Sequence, residues 1–586
     1  MWAVHDDRAY LGVESSLTGR RWRGPAPDLA RAAEALAQAT GHPLPLCAVL
    51  ARAGVEAPGC DTYLAPKLRD LLPDPRGLRD MEAAAVRLLE AVARRERIAI
   101  FADYDVDGGA SAALLIDWLR QMGRAATLYV PDRIDEGYGP NVPAMTKLGA
   151  AHDLILCVDC GTLSHDPIAA AGADVVVLDH HLAGETLPPA CAVVNPNRQD
   201  EDGTLGHLCA AAVVFLMLVE AGRQLRGTGT AGPDLMAMLD LVALATVADV
   251  APLRGVNRAF VRAGLHVMAE RQRPGLVSLA DSARLTRAPD AAALGFALGP
   301  RINAGGRVGQ ADLGARLLAT RDAAEAQALA ARLDALNTER RAIEAGVRDA
   351  AMAQAEARGL DAPLVWAAGE GWHPGVVGIV AARLKEATHR PAVVIGLEGD
   401  EGKGSGRSVS GVDLGACVQR LASEGLLLKG GGHRMAAGLT VARDALEPAM
   451  ERLAELLARQ GAGAERAAAL PVDGMLMPRG ATVALMEALE RAGPYGAGAP
   501  APRFAFPALA VRHARRVGEG HLKLELDAGD GGRIAAIAFG AYDGDLGPRL
   551  EAHGGARFHL AGRLEINHWQ GRTQVELRVD DAAEAE

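Results

Sequence analysis

Between Arg97 and Val194 the chain repeats one pattern, a short apolar run and then a helical or loop stretch. The runs are "RIAIF", "ATLYV", "DLILCV", "ADVVVL" and "CAVV", and the helical stretch "ASAALLIDWLRQMG" follows the first. Runs this short and this apolar, separated by helices, predict an α/β fold built on a mostly parallel sheet with helices on both faces. Such a sheet constrains function as well as fold. Its ligands gather outside the carboxyl ends of the strands, so residues just after strands converge in space although they are distant in sequence.

Acidic and imidazole residues occupy those positions. "RIAIF" is followed by Asp103, Asp105 and Asp107 within "FADYDVDGGAS", "LILCV" by Asp159, and "VVVL" by Asp179, His180 and His181. Asp249 follows the apolar helical run "LVALATVA" and precedes Pro252. Each piece alone has an ordinary reading: a solvated turn closed by Gly108 and Gly109, a capped turn with a buried histidine, a carboxylate at a helix end. Together at one sheet edge they repel one another unless a cation is present. Carboxylate oxygens with an imidazole suit Mn²⁺ or Mg²⁺ better than the thiolate sites of structural zinc. The candidates exceed what one ion needs, so two ions are expected, about 3.5–4 Å apart with one carboxylate bridging them. Such a pair suits in-line displacement at phosphorus, activating the nucleophile and offsetting charge on the non-bridging oxygens.

At 586 residues the chain exceeds one hydrophobic core, and two to four domains are expected. "AAAVVFLMLVEAG" and "PDLMAMLDLVALATVADV" read as buried helices. From about Asp322 to Arg358 an Ala-, Glu- and Arg-rich stretch without proline predicts one extended helix, a strut between domains. A second α/β unit begins at "LVWAAGEGWHPGVVGIVAARLKEA" and ends near Leu470. Beyond Pro502 the runs "HLKLELDAG", "RIAAIAFG", "FHLAGRLEIN" and "TQVELRVDD" predict a small OB-like β-barrel. The first sixty or so residues carry no periodicity from which to assign a fold.

The net charge of −11 argues against coating nucleic acid through a global positive field, though not against a local groove. No run is apolar enough to span a bilayer, and "MWAVHDDRAY" lacks the features of a secretion signal, so a cytoplasmic protein with no membrane association is expected. Seven scattered cysteines fit a reducing compartment, and the Cys157–Cys160 spacing reads as accidental.

"DYDVDG", "VDCG", "DHH" and "ATVADVAPL", in that order, resemble the four motifs of the DHH phosphoesterase superfamily. "GPRINAGGRVG" (Gly299 to Gly309) and "GGGHRMAAG" (Gly430 to Gly438) are similar to motifs of its RecJ branch, bacterial single-strand-specific 5′→3′ exonucleases. The resemblance runs from about Ile98 to Gly438 and more weakly to "GPYGAGAPAPRF", similar to the lead-in to that branch's OB domain. It implies Asp105, Asp107, Asp159, His180 and Asp249 as metal ligands, with Asp159 the bridge and Asp103 supporting the site from its edge. His181 is implied to lie near the scissile phosphate or, alternatively, to orient His180. The implied organisation is an unassigned segment 1–70, a DHH catalytic domain 71–320, a connecting helix 321–360, a DHHA1-like substrate domain 361–470, and a linker with an OB-like domain 471–586. The implied activity is release of mononucleotides from the 5′ end of single-stranded DNA in recombination and repair, in cooperation with single-strand-binding protein and a helicase. The competing readings are a phosphodiesterase of oligoribonucleotides or cyclic dinucleotides, and an inactive DNA-binding scaffold.

Glycines around a basic residue let backbone N–H groups approach an anion. On that basis Ser405 and Arg407 in "GKGSGRSVSG", and His433 in "GGGHRMAAG", are assigned to phosphate or sugar contacts, with the resemblance placing a 5′-phosphate pocket nearby. The alternative is a pair of tight turns between strand and helix. Arg301 and Arg307 are read as backbone-phosphate contacts and Asn303 as orienting a water at the metals, against arginines that merely tie a loop to an acidic partner. Trp372 and His373 form either a base-stacking platform or a capped helix start with a core tryptophan. "GRRWRG", with Trp22 among arginines, is read as an exposed arm.

Overall fold

The structure is a computed structural model that describes residues 8–133, 135–463, 469–569 and 572–585. The first seven residues, read above for a secretion signal, lie outside the described set. The chain forms two compact units, Leu72–Pro252 with Phe260–Glu465, and Met1–Leu71 with Leu253–Ala259 and Arg466–Glu586. Among the described residues no helix is long and apolar enough to cross a membrane.

The larger unit opens with strand β1 (Ile98–Ala102), helix α1 (Val106–Gln121), and strands β2 (Ala126–Tyr129), β3 (Leu154–Val158), β4 (Asp174–Leu178) and β5 (Ala192–Val194). All five pair in parallel in the order β2-β1-β3-β4-β5. Every residue of β1 and β3 is buried, which explains their unbroken apolar runs. The strand order reverses between β1 and β3, and an open parallel sheet leaves its ligand crevice at that point.

Two further helices complete the frame, α2 (Ala210–Gly227) and α3 (Leu239–Ala248). Arg273 is buried between α1 and α3, with Nη1 donating to Asp117 Oδ2 at 2.6 Å and Nε to Asp240 Oδ2 at 2.7 Å. This clamp joins the end of α1 to the start of α3. The start of α1, with Asp105 and Asp107, and the end of α3, with Asp249, are thereby left side by side. Helix α4 (Gly299–Val308) leads toward α5 (Ala323–Arg358), the long helix expected from composition. Leu329, Leu333 and Leu336 of α5 are buried on the side of the first sheet's module, whereas Val347, Ala351 and Ala355 join the core of the second.

That second module consists of β6 (Val365–Glu370), α6 (Pro374–Thr388), β7 (Ala392–Glu398), β8 (Glu401–Arg407), β9 (Lys429–His433) and β10 (Ala436–Ala442), in the sheet order β9-β10-β8-β7-β6. Here the sequence reading needs correction. "GKGSGR" and "GGGH" are strands and not tight turns, and the N–H groups of β8 face ladders on both sides, so they form no open anion cradle. Glycine alternates along β8 because Cβ atoms at Gly402, Gly404 and Gly406 would meet Ile395, Leu439 and Leu414 within about 3 Å. The opposite face of the same strand presents Lys403, Ser405 and Arg407.

In the smaller unit, β11 (Phe504–Val517), β12 (His521–Asp527), β13 (Arg533–Ala538), β14 (Arg557–Trp569) and β15 (Arg572–Glu584) close into a barrel through β11–β14 pairing. This is the OB-like architecture expected, with β11 as a strand the sequence reading did not find. Helices Pro27–Thr40 and Leu44–Arg52 share a core with the barrel, which gives the unassigned N-terminal residues their place. "RRWRG" is not an exposed arm. Arg21–Arg23 pairs in parallel with Ala469–Pro471, and Trp22 is fully buried with Nε1 donating to Asp581 Oδ2 at 2.9 Å.

Candidate metal centre and phosphate grip

Each predicted acidic residue owes its position to its own local chemistry. Asp105 caps α1, accepting N–H bonds from Asp107 and Gly108 at 2.8 and 3.2 Å. The turn closes on itself so tightly that a Cβ at Gly108 would fall 2.4 Å from the Asp103 carbonyl oxygen. Asp107 is buried and accepts from the N–H groups of Ala210 and Ala211, at the start of α2, at 2.6 and 2.8 Å. Asp159 follows β3 with φ of 60°, a left-handed conformation that costs energy in a residue other than glycine.

These groups meet around His180. Its Nε2 lies 3.3 Å from Asp159 Oδ1 and 3.7 Å from Asp107 Oδ2, and its Nδ1 lies 3.8 Å from Asp249 Oδ2. Three candidate ligand groups overlap here: Asp107, His180 and Asp249 share His180 with a group of Asp159, His180 and His181, which shares Asp159 with Asp103 and Asp105. Burial, and then the neighbouring carboxylates, push the Asp103 and Asp159 carboxyls well above the usual range. Burial also raises Asp107, and with Asp107 and Asp105 as neighbours Asp249 is pushed up to about 8. Asp103 Oδ1 and Asp159 Oδ1 are buried without a hydrogen-bond partner among the described residues. Unpartnered buried oxygens with high proton affinity are what a hard divalent cation would satisfy, so the donor set fits Mn²⁺ or Mg²⁺.

Asp179 has a different task. It accepts from the backbone N–H groups of His180 and His181 and from His181 Nδ1 at 2.8 Å, which fixes the His181 ring. Although burial works against the imidazolium, Asp179 raises His181 to about 9. The strand-end rule finds more at this edge than was read from it. The segment after β5 supplies Asn195, donating to the His181 carbonyl at 2.8 Å, and Asn197, donating to that of His180 at 2.5 Å. The loop after β2 supplies Tyr138, whose Oη donates to the Asp159 carbonyl and lies 2.9 Å from His181 Nδ1. It also supplies Arg133, 5.0 Å above the Tyr104 ring. Both loops could have been found by applying to "ATLYV" and "CAVV" the rule applied to the other three strands.

On the second sheet, Arg407 Nη1 donates to Ser405 Oγ and to the Gly406 carbonyl, each at 2.8 Å. Both side chains stand against α6, since a Cβ at Gly378 would lie 3.0 Å from Ser405 Oγ and from Arg407 Nη2. His433 shares their face two strands away, through Ala436, which pairs with both His433 and Arg407. Arg307 joins the modules by donating to the Gly375 carbonyl at 3.0 Å. Burial, and then Arg133 and Arg340, push Arg307 down to about 10, while burial and Arg133 lower Arg407.

Three of the residues read as substrate or water contacts have structural partners instead. Arg301 is tied to Asp334 of α5 at 2.8 Å, the acidic-partner alternative. Asn303 Oδ1 accepts from the Val106 N–H at 3.0 Å, bracing the aspartate turn. His373 caps α6, its Nδ1 accepting from the Gly375 N–H at 3.0 Å. The Trp372 ring lies close over Gly369 and packs partly buried on the second core, so these two residues form a capped helix start.

The order of modules and this geometry agree with known proteins. The sequence model of the DHH family N-terminal domain matches residues 97–246, that of the DHHA1 domain 361–459, and that of the RecJ OB domain 472–581. The chain is 39% identical over 543 residues to the single-stranded-DNA-specific exonuclease RecJ of Dickeya dadantii, covering 88% of this chain and 92% of that one. It is 36% identical over 526 residues to the RecJ of Escherichia coli K12, covering 86% and 90% respectively. The crystal structure of RecJ in complex with Mn²⁺ from Thermus thermophilus matches with a TM-score of 0.80 at 30% identity, covering 96% of this chain and 80% of that one. Modules, motifs and whole-chain identity together establish that the chain belongs to the RecJ family.

Proposed function

We infer that this protein is a metal-dependent exonuclease that removes mononucleotides from the 5′ end of single-stranded DNA in recombination and repair. The observation that carries the reading is the meeting of Asp107, Asp159 and Asp249 around His180 where the strand order reverses. Asp105, Asp107, Asp159, His180 and Asp249 would hold two Mn²⁺ or Mg²⁺ ions, which when bound supply Lewis acidity and a nucleophile for phosphodiester hydrolysis. Asp103 sets the edge of the site and contributes negative charge. Asp179 favours the His181 imidazolium, and with Nδ1 engaged by Asp179 its Nε2 serves the leaving or non-bridging oxygen.

Ser405, Arg407 and Arg307, with Arg133, would hold the 5′-terminal phosphate, and His433 would contact the sugar-phosphate chain on the same face. On the barrel, Phe539 is 48% exposed with Arg578 5.2 Å from its ring, a platform on which a base can stack. A cytoplasmic site of action and cooperation with single-strand-binding protein and a helicase belong to the same reading.

The test is an assay on a 5′-phosphorylated oligodeoxynucleotide labelled at either end, with and without Mn²⁺. Labelled mononucleotide should appear first from the 5′ end and only with metal. First release from the 3′ end, or strong preference for a dinucleotide, would overturn the reading.

A further inference from the structure

A cleft of about 480 Å³ lies among α4, the middle of α5 and α6. Arg340, Arg341 and Arg348 line it from α5, Arg383 from α6 and Arg307, shared with the proposed 5′-phosphate grip, from α4, against a single carboxylate, Glu344. In a chain of net charge −11 this is a local field of opposite sign. Glu344 is already engaged, accepting from Arg340 Nη1 and standing 3.7 Å from Arg383 Nε. Arg340 is only 8% exposed and donates Nη2 to Asn337 Oδ1 at 3.0 Å, yet its Nε is buried with no partner among the described residues. A buried guanidinium N–H without a partner lacks an acceptor.

The mouth of the cleft has an aromatic group. Phe296 is 82% exposed and sits on the π-helical turn Leu294–Leu298 that runs into α4, a distortion that recurs at functional sites. An exposed ring beside guanidinium groups offers a face to a base. The volume lies in the usual range for small-molecule pockets, about 300–1,000 Å³, and three helices wall it.

We propose that this cleft is a second nucleotide site that takes a nucleoside 5′-monophosphate, with the phosphate on Arg340, Arg341 and Arg383 and the base on Phe296. The inference rests on the exonuclease reading for its purpose, because a mononucleotide is the product that reading releases. Asn303 borders the cleft and braces the aspartate turn through Val106, so a nucleotide held there borders the metal centre and slows the next turnover.

The test titrates deoxyadenosine monophosphate by calorimetry into the full chain carrying Asp159→Asn and Arg407→Gln, in EDTA, which removes the metal centre and the Arg407 contact of the 5′-phosphate grip. One binding site is expected, and deoxyadenosine should not occupy it. Arg341→Glu and Phe296→Ala, both at exposed positions, should each weaken binding about tenfold. In the otherwise unaltered enzyme the same two changes should relieve product inhibition without lowering the initial rate. Absence of binding, or binding indifferent to both changes, overturns the proposal. So does a blocked-end oligothymidylate that displaces the nucleotide more tightly than thymidine monophosphate, because the cleft is then a strand track. None of these readings needs hydrolysis: lost binding with intact activity removes the cleft alone, and lost activity with intact binding removes only the exonuclease.

Discussion

The two sheets of the larger unit solve opposite electrostatic problems with one device. The first crowds buried Asp103, Asp107 and Asp159 with half-buried Asp249 until each carboxyl resists ionisation. The second holds Arg407 half-buried, and α4 holds Arg307 half-buried, each near Arg133, so that each guanidinium holds its proton less firmly. In both, like charges are gathered, and the proposed function gives each a partner of opposite sign, a cation for one and a phosphate for the other. They differ in placement. The carboxylates sit at strand and helix ends, Asp105 and Asp107 fixed there by backbone N–H groups, whereas Ser405 and Arg407 project from the face of an inner strand whose register fixes them. Pre-organisation can thus come from turn chemistry or from a ladder, and the two should fail differently when disturbed.

The carboxylate side should be the more sensitive. Asp159→Asn should lower hydrolysis by about a thousandfold or more, because Lewis-acid stabilisation is worth several kcal/mol. The fold should survive, since asparagine tolerates the positive φ at this residue. A near-normal rate would break the comparison at its first term. Asp179→Asn should cost about 10–100-fold, as loss of an orienting partner generally does. It should also move the alkaline limb of the rate profile down from about 9 toward the ordinary histidine range. An unmoved limb assigns that limb to another group.

On the phosphate side, Arg407→Gln should reduce the preference for a 5′-phosphate over a 5′-hydroxyl about tenfold, with Mn²⁺ affinity unchanged. A smaller effect is expected on stability. Carboxyls raised in the fold bind more protons than the unfolded chain between pH 3.8 and about 8, the bounds for Asp249, so the metal-free protein loses stability as pH rises through that window. Thermal shift measurements should show Mn²⁺ raising the melting temperature a few degrees more near pH 8 than near pH 6. Equal shifts would mean that the carboxylates are not mutually strained.

The first sheet was legible because burial on both faces forces unbroken apolar runs, and because strand ends are punctuated by charged residues. The same logic located Asp103, Asp107, Asp159, His180 and Asp249 at one edge. Ser405, Arg407 and His433 were picked out by residue type, but the form of their segments was misread. Glycines on β8 and β9 signal turns in sequence, yet β8 uses them to let a sheet face pack where any Cβ would collide. That packing is a tertiary demand with no local trace. Strand β11 escaped notice because "FAFPALAVRHARRV" mixes proline and arginine with apolar residues, and its register shifts at Phe506/Leu509 and Val511/His513 interrupt strict alternation. Trp22 was misread because its partner Asp581 lies 559 residues away. Arg301 and Asn303 show that a polar residue in a recognisable motif can serve the scaffold.

Helix α5 belongs to two cores at once, with its leucines packed on one module and its later valine and alanines on the other. A helix of 36 residues has no proline or glycine in mid-course at which to flex except Gly346. In the proposed function it would act as a gauge block: the interval between the residues proposed to grip a strand's terminus and those proposed to cut its linkage would be machined into the backbone. The length of each bite would then be a dimension of the protein, and a one-turn insertion in the rod would change it without touching either jaw.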